Sequence, residues 1–484
     1  MAQITAHIPA RVMAQTMAHV CELPNLRHLR VFQAAARLGS VSGASREACL
    51  SQPAVTQAIA NLEALLDVVL FERHHSGCYL TEYGRTYLAR TNRLFAEMEQ
   101  GIVAPLVDTP FADDKSLKSI FAKITTTHVR ALVAIAEHRL VETAAINLGV
   151  SASSLMRAVR DLEGVLKRAL CHPGPQGLVP TKPAIELARR FALACRELTY
   201  ATEEIATLKG ASTSRVIIGT LSLFPVDLIA RSVDELLRIY PGTRVLVMEG
   251  AYLALLDDLR AGKIDFLVSV LRRPDWAEDV HEEPLFRDPY AIVARRGHPL
   301  SRCQNITLQD LARFEWVLPQ LGTPRRMAFE HMFADFDPKP NASIETRSIE
   351  FQRAILSTSD RISIVTQQET LLEMRIGVLA ALPFAPPVSR DADGIATRAN
   401  WKPTTVQLAF LDLLRRNARE KLPTRKSIPE FSGPDGLAPR GTDPQTGKHF
   451  DVTKAMVDAM TFLSEADRRK LFADNARKVY KLKI

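Results

Sequence analysis

Two short windows, one hundred residues apart, hold the side chains best suited to chemistry. In the first, Gln52, Thr56, Gln57 and Asn61 are interleaved with Val55, Ile59, Leu62 and Leu66, whose spacing is helical, so the polar set lies on or near the outer face of a helix. Carboxamides there can bond adenine in two places and a hydroxyl accepts or donates, which is the chemistry of reading base edges. The second window keeps the apolar set as Leu155, Val159, Leu162 and Leu166, but has Arg157 in place of Gln57 and Arg160 in place of Ala60. Guanidinium groups on such a face suit phosphate or guanine. No catalytic constellation can be assembled: there is no His-x-His, no Ser/His/Asp grouping and no phosphate-cradling glycine loop. The expectation is a binding protein, not an enzyme, with no catalytic residue, no metal and no cofactor.

The elements that must hold these side chains are written twice. His28, Arg30, Ala44, Ser51, Ala58 and Leu62-Glu63 return at a constant offset as His128, Arg130, Ala144, Ser151, Ala158 and Leu162-Glu163. Leu66, Leu70, Gly77 and Thr81 return as Leu166, Leu170, Gly177 and Thr181, so the register survives the turns as well as the helices. In the first copy, Leu29, Phe32 and Ala36 mark a helix ending near Gly39. Ser40 caps a short second helix, and Ser51 caps a third, with Pro53 tolerated in its first turn. The segments Phe71–Arg73 and Leu80-Thr81 then read as a two-stranded wing, followed by a long helix over Glu82–Val103.

Leu50-Ser51-Gln52-Pro53-Ala54-Val55-Thr56-Gln57-Ala58-Ile59, with Leu62-Glu63 and Leu70-Phe71-Glu72-Arg73, resembles the DNA-binding domain of LysR-type transcriptional regulators. The resemblance implies that the third helix enters the major groove of double-stranded DNA, that the wing touches phosphate and that the long helix dimerises. It places DNA contact on Ser51, Gln52, Pro53, Thr56, Gln57 and Arg73, and implies a homodimer or homotetramer. Where that family usually has a basic wing residue this chain has Ser76. In the second copy Ala152-Ser153 replace Gln52-Pro53, and Pro173 replaces Arg73. Arg157 and Arg160 suit a second DNA-contacting module, while the altered wing suits a structural relic, and both readings stay open.

Composition narrows the rest. The formal charge of +8 over 484 residues does not itself argue for DNA, because the last 64 residues carry 13 Lys/Arg against 8 Asp/Glu and so hold +5 of it. The six cysteines show no Cys-x-x-Cys spacing, the first 25 residues lack the apolar core of a signal peptide, and no window approaches twenty apolar residues. A cytoplasmic chain with reduced thiols and no membrane partner is expected.

From Arg215 short apolar strands alternate with helices: Val216–Gly219, Leu228–Tyr240, Arg244–Met248, Leu253–Arg260 and Gly262–Val268. That alternation predicts a largely parallel sheet. With His298-Pro299-Leu300, Leu308–Phe314 and Trp316–Pro319, the order resembles the effector domain of the same regulators, which implies two α/β lobes of the periplasmic-binding-protein type around a small-molecule effector. Strand ends and helix N-termini then nominate Thr220, Ser222, Gly250, Ala251, Gln320, Thr323, Thr366 and Gln367, with Arg325 or Arg326 adding charge for a carboxylate. A solute-binding protein of the same fold is the alternative, and it leaves the repeats unexplained.

Val406–Leu411 reads as a strand before a stretch broken by Pro423, Pro429 and Pro434. The remainder, ending in Asn475-Ala476-Arg477-Lys478-Val479-Tyr480, resembles the C-terminal end of an amidohydrolase-superfamily hydratase acting on 4-oxalomesaconate. Without a metal-bearing barrel before it, no activity is expected of such a remnant. The expected organisation is multidomain α and α/β: two tandem winged helix-turn-helix units with linker helices at 25–107 and 125–210, an effector domain at 214–422, and a linker with a helical tail at 423–484.

Overall fold

The computed structural model describes residues 23–421, apart from 75–76, 107–113, 139, 175–176, 212–213, 222–225, 371–372, 375 and 389, together with 441–442 and 449–450. The expected helical tail and its hydratase resemblance lie outside the described residues, except for a short antiparallel pairing of Gly441-Thr442 with His449-Phe450.

The repeat produces the same elements twice. The first copy folds as α1 (Leu26–Leu38), α2 (Val41–Glu47), α3 (Gln52–Leu66), β1 (Phe71–His74), β2 (Gly77–Leu80) and α4 (Glu82–Leu106). A helix α5 (Asp114–Lys123), not anticipated from sequence, occupies part of the connection. The second copy is α6 (Thr126–Glu137), α7 (Val141–Leu148), α8 (Ala152–Leu166), β3 (Cys171–Gly174), β4 (Gly177–Pro180) and α9 (Lys182–Leu208).

Most of the repeated residues are structural. Ser51 and Ser151 cap α3 and α8 by accepting from the N–H groups of Ala54 and Ser154. Asp67 and Lys167 end those helices in the left-handed region, both at φ 51°. Glu63 Oε1 then accepts from the N–H groups of Leu70 and Phe71 at 2.8 and 3.4 Å. Glu163 Oε1 does the same for Leu170 and Cys171 at 2.7 and 3.0 Å. These bonds hold the wing to its helix, and Thr81 and Thr181 close it by donating their N–H to the carbonyls of Leu70 and Leu170. Ala44, Ala144, Leu62 and Leu162 are buried, which explains their return at fixed register. Despite Pro173 and Pro180, the second wing still forms, pairing Cys171 with Pro180 and Pro173 with Leu178.

The downstream region contains two α/β modules. In the first, β5 (Arg215–Thr220) pairs in parallel with β6 (Arg244–Glu249) and β7 (Phe266–Val270). The full strand order is β6-β5-β7-β14-β8, with β8 at Val280–Phe286 and β14 at Asp393–Arg398. Helices α10 (Val226–Ile239) and α11 (Tyr252–Arg260) are the crossovers. The expected third strand is shorter at its start: Gly262, at φ 73°, makes a turn and pairing begins at Phe266. The parallel sheet expected from residues 216–268 is thus found in the first module, whereas in the second β9 (Tyr290–Arg295) lies antiparallel to both β12 (Ser363–Thr366) and β13 (Leu379–Ala381). The long excursions between those strands permit either direction, which apolar runs alone do not distinguish. Its remaining elements are α12 (Leu308–Ala312), β10 (Val317-Leu318), α13 (Pro324–Met332), β11 (Ile344-Glu345) and α14 (Ile349–Ser357).

Val406–Leu411 is not a strand. It belongs to α15 (Thr405–Lys421), whose first turn is fixed by Thr404 Oγ1 accepting from the Gln407 N–H and Gln407 Oε1 accepting from the Thr404 N–H. Val406, Phe410, Leu413, Leu414 and Asn417 are buried at helical spacing. The strand expected there is instead β14, whose sequence Asp393-Gly394-Ile395-Ala396-Thr397-Arg398 lacks a continuous apolar run. Gly394 is required in it, since a Cβ would stand 2.1 Å from the Glu283 carbonyl oxygen.

Candidate nucleic-acid interface

On α3, the buried side of Val55, Ala58, Ile59 and Leu62 fixes the helix against the core of its own unit. Ser51, Gln52, Pro53, Gln57 and Asn61 are exposed and Thr56 is half-buried, so the expected reading residues share an accessible face. Gln57 Nε2 donates to Asn61 Oδ1 at 2.9 Å, one helical turn away, which orients both amides along that face. Arg73 lies in β1 opposite Cys78. Ser76 lies outside the described residues.

On α8, Leu155, Ala158, Val159 and Leu162 are buried, and Ser153, Arg157 and Arg160 are exposed. Ser151 Oγ donates to Ser154 Oγ at 2.8 Å as well as capping the helix. The two heads thus share a scaffold and present different chemistry: amides on one, guanidinium groups on the other.

The effector positions divide between the two modules. In the first, Thr220 is buried at the end of β5, its carbonyl accepts from the Gly250 N–H at 3.3 Å, and Ala251 precedes α11 as an exposed N-cap without a side-chain bond. Ser222 lies outside the described residues. In the second, Thr323 caps α13 and its Oγ1 donates to the Gln320 carbonyl at 2.8 Å. The Thr366 N–H donates to Glu369 Oε2 at 3.0 Å, and the Gln367 N–H to the Pro289 carbonyl. Glu369 also accepts from Arg325 Nη1 at 3.0 Å, so it ties the N-terminus of α13 to the end of β12. Arg325 is therefore engaged with a protein carboxylate, and Arg326 likewise pairs with Glu330 and Glu345. Among the described residues no cluster of His, Cys, Asp and Glu could hold a metal, and no helix is long and apolar enough to cross a membrane.

Sequence reasoning missed a buried ionic group where the long helices meet the first module. Arg90 on α4 donates to Glu197 Oε2 at 2.9 Å, to both carboxylate oxygens of Glu204 at 2.9 and 2.6 Å, and to the Lys402 carbonyl at 2.9 Å. Beside it on α9, Arg196 Nη2 and Tyr200 Oη donate to Asp265 Oδ1 at 3.2 and 2.7 Å, while Asp265 Oδ2 accepts from the Ile217 N–H of β5. Arg398 of β14 reaches Tyr200 Oη. Burial pushes the Glu203 carboxyl up to about 7, with Arg196 opposing and Asp265 reinforcing the shift. Arginines at this density in a helix with an apolar seam were the available signal.

The model of bacterial regulatory helix-turn-helix proteins of the lysR family matches at residues 26–85 and again at 126–184, and that of the LysR substrate binding domain at 209–419. The HTH-type transcriptional regulator GalR of Pseudomonas putida is 31% identical over 401 residues, covering 83% of this chain and 99% of that protein. The chain belongs to the LysR family. It is a transcriptional regulator with a duplicated helix-turn-helix region and an effector-binding domain, and not an enzyme. A stretch of 401 residues out of 484 necessarily takes in the second copy of this LysR-family chain. The regulator GbpR of Rhizobium radiobacter is 30% identical over 248 residues, covering 50% of this chain and 81% of its own. Among solved structures, a full-length OxyR variant from Pseudomonas aeruginosa is 20% identical, covering 61% of this chain and 95% of its own, with a TM-score of 0.45.

Proposed function

We propose that this regulator reads double-stranded DNA through Ser51, Gln52, Pro53, Thr56 and Gln57, with phosphate contact at Arg73, and that Arg157 and Arg160 add contacts from the second unit. The observation that carries this reading is the accessible row of amides on a capped helix whose opposite side is locked in the core. The effector is a small carboxylate from aromatic breakdown, with Thr220, Ser222, Gly250, Ala251, Gln320, Thr323, Thr366 and Gln367 as its candidate contacts. The N-cap Ala251 of α11 makes no side-chain bond, and a helix N-terminus without a side-chain cap supports an anion there. The protein works in the cytoplasm as a homodimer or homotetramer. Its C-terminal segment is an inactive remnant of a hydratase of the amidohydrolase superfamily, the trace of a neighbouring catabolic gene.

Footprinting the purified chain on DNA upstream of its own gene, with and without protocatechuate, gallate and their ring-cleavage products, tests this reading. A protected site that shifts with one of these acids is expected. A protected site indifferent to all of them removes the effector assignment, and turnover of 4-oxalomesaconate by the chain removes the remnant assignment.

A further inference from the structure

The contacts between the two copies exchange under the same offset of one hundred that relates their sequences. Arg90 Nη1 lies 2.9 Å from Glu197 Oε2, and Arg190 Nη1 lies 2.8 Å from Glu97 Oε2. Arg30 of the first copy donates to the carbonyls of Phe121 and Ile124, just ahead of the second, and Arg130 of the second donates to the carbonyl of Leu23, just ahead of the first. The Leu26 N–H donates to Oγ1 of Thr126, the residue at its own place in the other copy. As numbers rise along α4 the partners fall along α9, so the long helices run antiparallel. Leu94, Met98 and Ile102 of α4 share one continuous core with Leu187, Phe191 and Ala194 of α9. Gly101 permits the close approach, since a Cβ there would come 2.7 Å from Arg190 Cβ.

Reciprocal contacts of this kind, with i on j and j on i, are the signature of a two-fold interface between two subunits. Here both halves belong to one chain. We infer that a single chain presents its two heads as a pseudo-two-fold pair and reads two adjacent half-sites of unequal sequence. Paired heads of this class meet successive major grooves, and the symmetry of the site mirrors that of the pair. In this chain the symmetry holds in the scaffold and breaks at the reading surface, where Gln52 and Gln57 correspond to Ala152 and Arg157 across the pseudo-axis. The half-site under α3 is one that amides read, with adenine in it, and the half-site under α8 is one that guanidinium groups read, with guanine in it. The long helices are already paired with each other, so any association of chains uses other surfaces.

The inference rests on the DNA-reading role proposed above, and selection of binding sites from a random duplex library by the full-length chain separates the two. Sites built from pairs of unlike neighbouring half-sites, with one such pair for each bound chain as counted by analytical ultracentrifugation, are expected. The Q52A/Q57A variant then loses preference in one half only, and R157A/R160A in the other only, each with about a tenfold or greater loss of affinity for the selected site. These side chains are exposed, so thermal unfolding of both variants matches the parent. A site built from one repeated half-site and indifferent to Arg157 and Arg160 overturns the inference while leaving the regulator reading intact. No enriched site at all overturns the DNA reading and the inference with it.

Discussion

Arg90 and Arg190 stand at equivalent places in the repeat, yet their replacement should differ sharply in cost. Arg90 is 2% exposed and donates to Glu197, Glu204 and the Lys402 carbonyl. Arg90→Met preserves much of the packing volume and strands these acceptors. Breaking a buried pair by removing one partner costs about 3–5 kcal/mol. Arg93 remains 3.1 Å from Glu197, and Glu204 is one-fifth exposed, which places the expected loss near the lower bound, about 3 kcal/mol. Arg190 is 22% exposed beside Glu97, and an ion pair within reach of solvent contributes about 1 kcal/mol or less. The assay is thermal and denaturant unfolding of R90M and R190M, with hydrogen exchange across α4 and α9 to locate the loss. A drop in Tm of about 6–12 °C is expected for R90M and of about 4 °C or less for R190M. Equal losses, or an R90M variant within about 1 kcal/mol of the parent, would refute the claim that the two ends of this interface differ in burial and therefore in strength.

Glu203 makes stability depend on pH. Its folded carboxyl, at about 7 against an ordinary 4.5, holds its proton more tightly than the unfolded chain does. The associated stability is complete below pH 4.5 and is lost as pH rises through 7, at a cost of roughly 3 kcal/mol above it. E203Q should match the parent near pH 5 and exceed it near pH 8, and a pH-independent difference in unfolding free energy would show the carboxyl to be ordinary. Replacing Arg157 and Arg160 with Ala should reduce the slope of log affinity against log salt by about 0.9 for each phosphate no longer neutralised, and an unchanged slope removes them from phosphate. Ser51→Ala and Ser151→Ala each remove a helix cap and should cost about 1 kcal/mol, read by denaturant titration; no loss in either would mean that solvent replaces the cap.

Local regularities were legible in the sequence and long-range ones were not. Ser51, Leu62, Glu63, Thr81 and their repeats announce caps and inward faces because helical spacing and turn chemistry act within a few residues. The amide face of α3 was visible for the same reason. By contrast, Arg90 meets Glu197 across 107 positions, and nothing near either residue signals the other. Helix α15 was misread because Val406–Leu411 is as apolar as a buried strand; the reciprocal bonds of Thr404 and Gln407 decide for helix. Arg325 looked available for an effector until Glu369, 44 residues away, proved to hold it.

Joining both halves of a two-fold interface on one chain changes what dilution can do. Two separate subunits part as their concentration falls, whereas tethered partners meet at a local concentration of about millimolar whatever the number of molecules in the cell. The antiparallel pair of α4 and α9 therefore forms as a folding step, not an encounter. Because a substitution on one side is not copied to the other, each half can drift alone, and a chain scarce enough to exist in a few copies still arrives with two different hands.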